Sequence, residues 1–142
     1  MSRESMIVRC PQAQPLRAFR LRGWQLDLCG HATISPHPGK EVPGVLWRIT
    51  DECEASLDRF EGYPYYYRKR ILVQDSQEFM VYLMNDPVPG EPTQGYLDLL
   101  AEGYQDWKLD IQYLESAVDR IIKPAYNIDK QWNIYEKHTA EL

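Results

Sequence analysis

The stretch from residue 51 to residue 64 does most to limit the folds open to this chain. Cys53, Leu57 and Phe60 recur at helical spacing and form one apolar stripe. Asp51 is placed to cap the N-terminus, with Glu54 three residues on, as in a capping box. Gly62 is a natural left-handed stop, and Pro64 bars continuation. A short helix is therefore expected over 51–60, and both of its flanks read as strands.

Upstream, residues 15–28 read as one long strand. Trp24, Leu26 and Leu28 share a face, and Phe19 and Leu21 fall on the other parity. The phase changes at Arg22-Gly23, where the glycine predicts a bulge or bend. Residues 31–34 form a short strand that Ser35-Pro36-His37-Pro38-Gly39 should end as a turn. A strand over 42–49 follows, with Val45, Trp47 and Ile49 alternating inward. A helical turn or two over 3–9, stopped by Pro11, precedes all of these.

Downstream, 65–74 and 78–84 read as a hairpin about Asp75-Ser76-Gln77. Residues 79–84 are apolar on both faces, which predicts a central strand. Helices are expected over 96–104 and 110–123, the second with Ile111, Leu114, Val118, Ile121 and Ile122 inward. Together these elements predict an α+β fold, with a largely antiparallel, barrel-like sheet flanked by helices. One domain is expected over 1–123. The tail, 124–142, carries scattered aromatics (Tyr126, Trp132, Tyr135) that should pack on the domain or on a neighbour.

Charge excludes some functions. Sixteen Lys and Arg stand against twenty-one Asp and Glu, a net charge of -5, which does not attract nucleic acid. Arg17/Arg20/Arg22 and Arg68/Lys69/Arg70 lie in strands, where alternation splits them between faces, so they read as solvated strand surface. The three cysteines are odd in number and lack a C-x-x-C pair, so neither a disulfide framework nor a zinc site is expected. No apolar run suits a membrane span, and the N-terminus has no signal-peptide core, so the expected compartment is the cytoplasm.

Glu61 is the first candidate for chemistry. A carboxylate at a helix C-terminus faces the negative end of the dipole, which disfavours ionisation and raises the pKa. Such a group suits proton transfer near neutral pH; a solvated glutamate at a helix end is the plainer reading. Tyr63, Tyr65, Tyr66 and Tyr67 follow at once, either as cross-strand pairs or as a pocket wall bearing hydroxyls. His31 and His37 lack neighbours at ligand spacing and read as structural. No nucleophile elbow, P-loop or dinucleotide fingerprint occurs.

Several segments, in order, resemble the γ-glutamyl cyclotransferase (AIG2-like) family. Val42-Pro43-Gly44-Val45-Leu46-Trp47-Arg48-Ile49 is similar to its "V-x-G-V-L-W-x-I" strand, and Leu57-Asp58-Arg59-Phe60-Glu61-Gly62-Tyr63-Pro64 to its "L-D-x-x-E-G-Y-P". Tyr67-Arg68, Val81–Met84, Tyr96-Leu97, Gly103-Tyr104, Arg9-Cys10-Pro11 and Ala32–Ile34 also fit, so the resemblance covers roughly residues 1–115. It implies a small mixed barrel with helices, and an enzyme that closes the α-amine of a γ-glutamyl compound onto its γ-carbonyl. The products are 5-oxoproline and an amine or amino acid. The substrate is a small molecule, no metal or cofactor is implied, and Glu61 takes the acid/base role. Tyr67 and Tyr96 match substrate-contacting positions, with Tyr66 as the alternative to Tyr67. The family usually opens with a strand and a "Y-G-S-N" loop that holds the substrate carboxylate. Met1–Met6 resembles the segment after that loop. On this reading an unpaired sheet edge invites a homodimer, and a non-catalytic ligand-binding protein on the same fold is the rival expectation.

Overall fold

The computed structural model describes residues 2–121. Ser2 precedes the first described helix. Its Oγ accepts from the Ser5 N–H at 3.1 Å and caps helix α1 (Arg3–Arg9). The chain then forms a long antiparallel hairpin of β1 (Gln14–Cys29) and β2 (His31–Arg48), turned at Gly30 with φ 75°.

The hairpin corrects one expectation and bears out another. The segment Ser35–Gly39 does not end a strand: β2 is continuous through it. Arg22 pairs with Glu41 and Trp24 with Pro36, so residues 37–40 stand opposite Gly23 as a wide bulge. Pro38, which has no N–H to offer a ladder, is accommodated there. The irregularity predicted at Gly23 is thus present, on both strands.

Helix α2 (Asp51–Glu61) follows. Its cap is Thr50, whose Oγ accepts from the Cys53 N–H at 3.2 Å, and not Asp51 as expected. Thr50 holds the extended backbone of a cap, which leaves Asp51, Glu52 and Glu54 in the first turn against the positive end of the dipole. At the other end Gly62 is left-handed (φ 66°, ψ 36°), and the Tyr63 N–H reaches the Asp58 carbonyl at 2.9 Å. A Cβ at Gly62 would lie 2.4 Å from the Tyr66 ring, so glycine is required twice over. Phe60 is 53% exposed and falls outside the buried stripe, which Cys53 and Leu57 keep.

The second hairpin pairs β3 (Tyr67–Gln74) with β4 (Gln77–Met84) through Asp75 and Ser76, both at positive φ. It starts later than the expected residue 65 because the Tyr65 and Tyr66 N–H groups turn back to the Gly62 carbonyl, each at 2.9 Å. Among the described residues β4 pairs only with β3, so it is not the central strand predicted from its apolar faces. Side chains join the two hairpins instead. Gln74 bonds the Arg22 N–H and the Arg20 carbonyl at one end, and the Met84 N–H reaches Thr33 Oγ1 at the other.

Helix α3 (Gln94–Asp106), capped by Thr93, begins two residues before the expected Tyr96. Among the described residues a fourth helix, α4, covers 112–121. Leu114 and Ala117 are buried on it, whereas Ile111 precedes it and is exposed. Ile122, the end of that expected helix at residue 123 and the tail 124–142 lie outside the described residues. The α+β class with antiparallel strands is the observed architecture. Among the described residues no helix is long and apolar enough to cross a membrane.

The core forms where α1 meets α2. Met6, Cys10, Cys53 and Leu57 are buried together, with Ala13, Trp47, Ile49 and Tyr82 packed around them. Cys10 and Cys53 are joined by a disulfide, contrary to the expectation from the odd count. The count concealed a pair that is adjacent only once the two helices pack. Lys69 also departs from the solvated role expected of it. Its Nζ bridges Asp58 at 2.7 Å and Glu54 at 3.3 Å, docking α2 onto the second hairpin.

Trp47 touches this core and meets Trp107 edge to face at 5.4 Å. It is half-buried, which puts the expected cost of Trp47→Ala near the lower end for aromatic truncations, about 3 kcal/mol. Chemical denaturation measures it. A loss under about 0.5 kcal/mol, as at an ordinary surface position, would mean that the ring carries no core packing.

Candidate active site

Two carboxylates sit three residues apart on α2 and are driven in opposite directions. Burial pushes the Asp58 carboxyl up, but hydrogen bonds from Lys69 and from Tyr82 (2.6 Å) outweigh it and hold the group below its ordinary value. Glu61 is the last residue of α2 and half-buried, and it has no hydrogen-bond partner among the described residues. Burial raises its pKa, and the charges of Arg9 and His31 only partly offset that rise. The direction is the one expected from the helix dipole and burial, and burial is the leading cause. Titratable groups pushed apart in this way are a mark of acid/base sites.

Five elements converge on Glu61. Arg9 comes from the end of α1, His31 from the start of β2, Tyr67 from the start of β3, Tyr82 from β4 and Tyr96 from α3, and each interacts electrostatically with the Glu61 carboxylate. Arg9 is held firmly to α2. Its guanidinium lies 3.3 Å over the centroid of the Phe60 ring, and its carbonyl accepts from Ser56 Oγ at 2.6 Å. The next residue, Cys10, is cross-linked to Cys53 on the same helix.

Tyr67 and Tyr96 both engage Ala32. The Tyr67 hydroxyl donates to the Ala32 carbonyl at 2.9 Å, and the Ala32 N–H donates to the Tyr96 hydroxyl at 2.9 Å. His31 meets the Tyr96 ring edge to face at 4.8 Å. Burial pushes both phenols above the ordinary value, with the Glu61 charge adding to the rise, so both stay protonated at neutral pH.

Of the residues singled out in the sequence, the structure brings Glu61, Tyr67 and Tyr96 together. Tyr66 is left outside: it is 73% exposed and its ring packs on Gly62. The phase within the tyrosine run is set by the turn back to Gly62, which points Tyr67 inward. Sequence reasoning overlooked Arg9 as a neighbour of Glu61 and took His31 as merely structural. The one signal for Arg9 was its place in the Arg9-Cys10-Pro11 match. His37 stays remote, in the bulge, and is exposed.

A cavity of about 290 Å³ lies at the other end of the β3–β4 hairpin, lined by Arg17, Arg20, Arg22, Phe19 and Phe79 among others. Arg20 is paired there with Glu41, and Arg22 with Asp75. It is separate from the Glu61 cluster, and the carboxyls that line it, Glu41 and Asp75, are held below their ordinary values by Tyr113 and Arg22.

A family model described as "Gamma-glutamyl cyclotransferase, AIG2-like" matches residues 1–109. Among solved structures, a human protein described as uncharacterized protein loc79017 superposes with a TM-score of 0.68 at 26% identity, covering 80% of this chain and 78% of that one. A structure described as a gamma-glutamyl cyclotransferase does so with a TM-score of 0.68 at 25% identity, covering 82% and 79%. No curated protein matches the chain.

The raised pKa of Glu61 has a consequence for stability. The folded state binds this proton more tightly than the unfolded chain does. The group's contribution is therefore present at acid pH and is lost as pH rises through the folded value. Glu61→Gln does not titrate. Its melting temperature relative to wild type should climb from acid to neutral pH, measured by thermal melts across that range. A difference that shrinks as pH rises would mean that the carboxylate is stabilised by the fold and not destabilised.

Proposed function

Because the chain belongs to the gamma-glutamyl cyclotransferase, AIG2-like family, we propose that it converts a γ-glutamyl compound into 5-oxoproline and a free amine or amino acid, with Glu61 as the proton shuttle. The observation that carries this reading is the half-buried Glu61 carboxyl, raised in pKa and set against Tyr67 and Tyr96.

The chemistry asks little beyond folding the substrate and moving protons. The nucleophile and the electrophile belong to one molecule, so positioning supplies most of the rate. The substrate's α-amine is an ammonium at neutral pH and must lose a proton before it attacks. Burial raises the Glu61 pKa, which brings it nearer to the pKa of the groups it exchanges protons with and suits it to take that proton and return it. The amine then closes on the γ-carbonyl carbon. The tetrahedral intermediate collapses as the protonated Glu61 delivers its proton to the leaving nitrogen, and the ring nitrogen then gives its second proton to the Glu61 carboxylate, which hands it to the released amine. Tyr67 and Tyr96 form the wall against which the γ-glutamyl group folds. Their elevated pKa values keep them as neutral hydroxyls, so they do not add negative charge beside Glu61.

Glu61→Gln preserves size and removes the proton acceptor. It should lower 5-oxoproline release by roughly a hundred- to ten-thousand-fold, the usual worth of a general base, while the protein stays folded. Release is measured from a panel of γ-glutamyl amines and peptides. A variant that matches wild type would remove Glu61 from the chemistry. Binding of the panel without turnover by wild type would turn the reading toward a ligand-binding protein.

A further inference from the structure

Tyr67 and Tyr96 hydrogen-bond to the same residue with opposite polarity. The Ala32 N–H can only donate, so the Tyr96 oxygen accepts it and the Tyr96 proton is left for another acceptor. The Ala32 carbonyl can only accept, so the Tyr67 proton is committed to it and lone pairs remain on the Tyr67 oxygen. Among the described residues the Tyr96 proton has no acceptor. Two phenols flanking one carboxylate are therefore not equivalent: one can give a proton to a hydrogen bond and the other can only receive one.

The backbone that enforces this difference is itself fixed. The Gly30 N–H bonds the Gly90 carbonyl at 3.0 Å, and the Gly90 N–H bonds the Leu28 carbonyl at 3.2 Å, tying the tip of the first hairpin down. On the other side of Ala32, Thr33 Oγ1 accepts from the Met84 N–H at 3.0 Å. His31 lies edge-on to the Tyr96 ring. The free Tyr96 proton is thus set in place before a substrate arrives, as a donor that stabilises developing charge must be.

We propose, resting on the cyclisation above, that Tyr96 is the hydrogen-bond donor to the γ-carbonyl oxygen as it becomes an oxyanion, and that Tyr67 accepts the N–H of the amide that is cleaved. In the step, the lone pair of the deprotonated α-amine forms the new C–N bond, and the carbonyl π pair moves onto oxygen, where the Tyr96 hydroxyl meets it. On collapse that pair re-forms C=O. The bond to the leaving nitrogen breaks as that nitrogen takes the proton held by Glu61, and the ring nitrogen gives its remaining extra proton to the Glu61 carboxylate, which passes it to the released amine. Tyr96 keeps its own proton throughout.

Tyr96→Phe and Tyr67→Phe form a matched pair, because each leaves one Ala32 backbone group without its partner. Structural damage is therefore similar in both, and the kinetics separate them. Tyr96→Phe should lower kcat roughly a hundred-fold or more with KM changed only a few-fold, the signature of a lost oxyanion donor. Tyr67→Phe should raise KM and keep kcat within a few-fold. A second readout does not need turnover: calorimetric binding of the γ-phosphonate analogue of glutamate, whose anionic oxygens stand where the oxyanion forms. Tyr96→Phe should weaken it about tenfold or more, and Tyr67→Phe should leave it nearly unchanged. That binding pattern in a protein without turnover would end the cyclisation reading and its oxyanion step, and leave Tyr96 as the hydrogen-bond donor to the γ-group of a bound ligand. Equal losses in the two variants, or the larger loss in Tyr67→Phe, would overturn the assignment.

Discussion

The docking of α2 decides where everything else goes. The helix is fixed along its length by contacts of different kinds. Thr50 caps its start, the Cys10–Cys53 disulfide and the Met6–Leu57 cluster tie it to α1, and Lys69 and Tyr82 hold Asp58 onto the second hairpin. Gly62 then stops it in the left-handed conformation. A helix held at so many points has little freedom to slide or roll. The last side chain before the stop, Glu61, is consequently presented at one place, half-buried and beside the start of β3. Asp58, one turn earlier, spends its charge on Lys69 and Tyr82. Glu61 is left without such partners among the described residues, and this asymmetry is what the proposed proton-shuttle role of Glu61 rests on.

Much of this was legible in the sequence because it is local. The period of Cys53 and Leu57, the Gly62 stop and the Asp75-Ser76 turn are each written within a few residues. The cap moved from Asp51 to Thr50 because both side chains can cap and only the end of β2 chooses between them. The long β2 was harder. Its Ser-Pro-His-Pro-Gly run carries the marks of a turn, yet β1 pairs on both sides of it and the surplus residues bulge opposite Gly23. Pairing across two strands overrode a local signal.

The site was half legible for the same reason. Glu61 and Tyr67 lie in one short segment, and Tyr96 follows at a family-like position. Arg9 and His31 are solitary in the sequence, and no spacing rule links them to residue 61. They meet Glu61 because α1 packs on α2 and because the tip of the first hairpin is pinned through Gly30 and Gly90. The disulfide was hidden likewise, since its cysteines are 43 residues apart. Which of Tyr66 and Tyr67 faces inward depends on a turn that reaches back to Gly62, and that is a property of the fold and not of the tyrosine run.

The electrostatic contrast between Asp58 and Glu61 on a single helix can be measured without any substrate. Carboxyl-carbon NMR titration of the labelled protein follows each group separately. Glu61 should titrate above the ordinary glutamate value of about 4.3, and Asp58 below the ordinary aspartate value of about 3.9. A Glu61 midpoint at or below its ordinary value would contradict the proton-shuttle role, because a solvated carboxylate at a helix end is no better suited to shuttle a proton than any other on the surface.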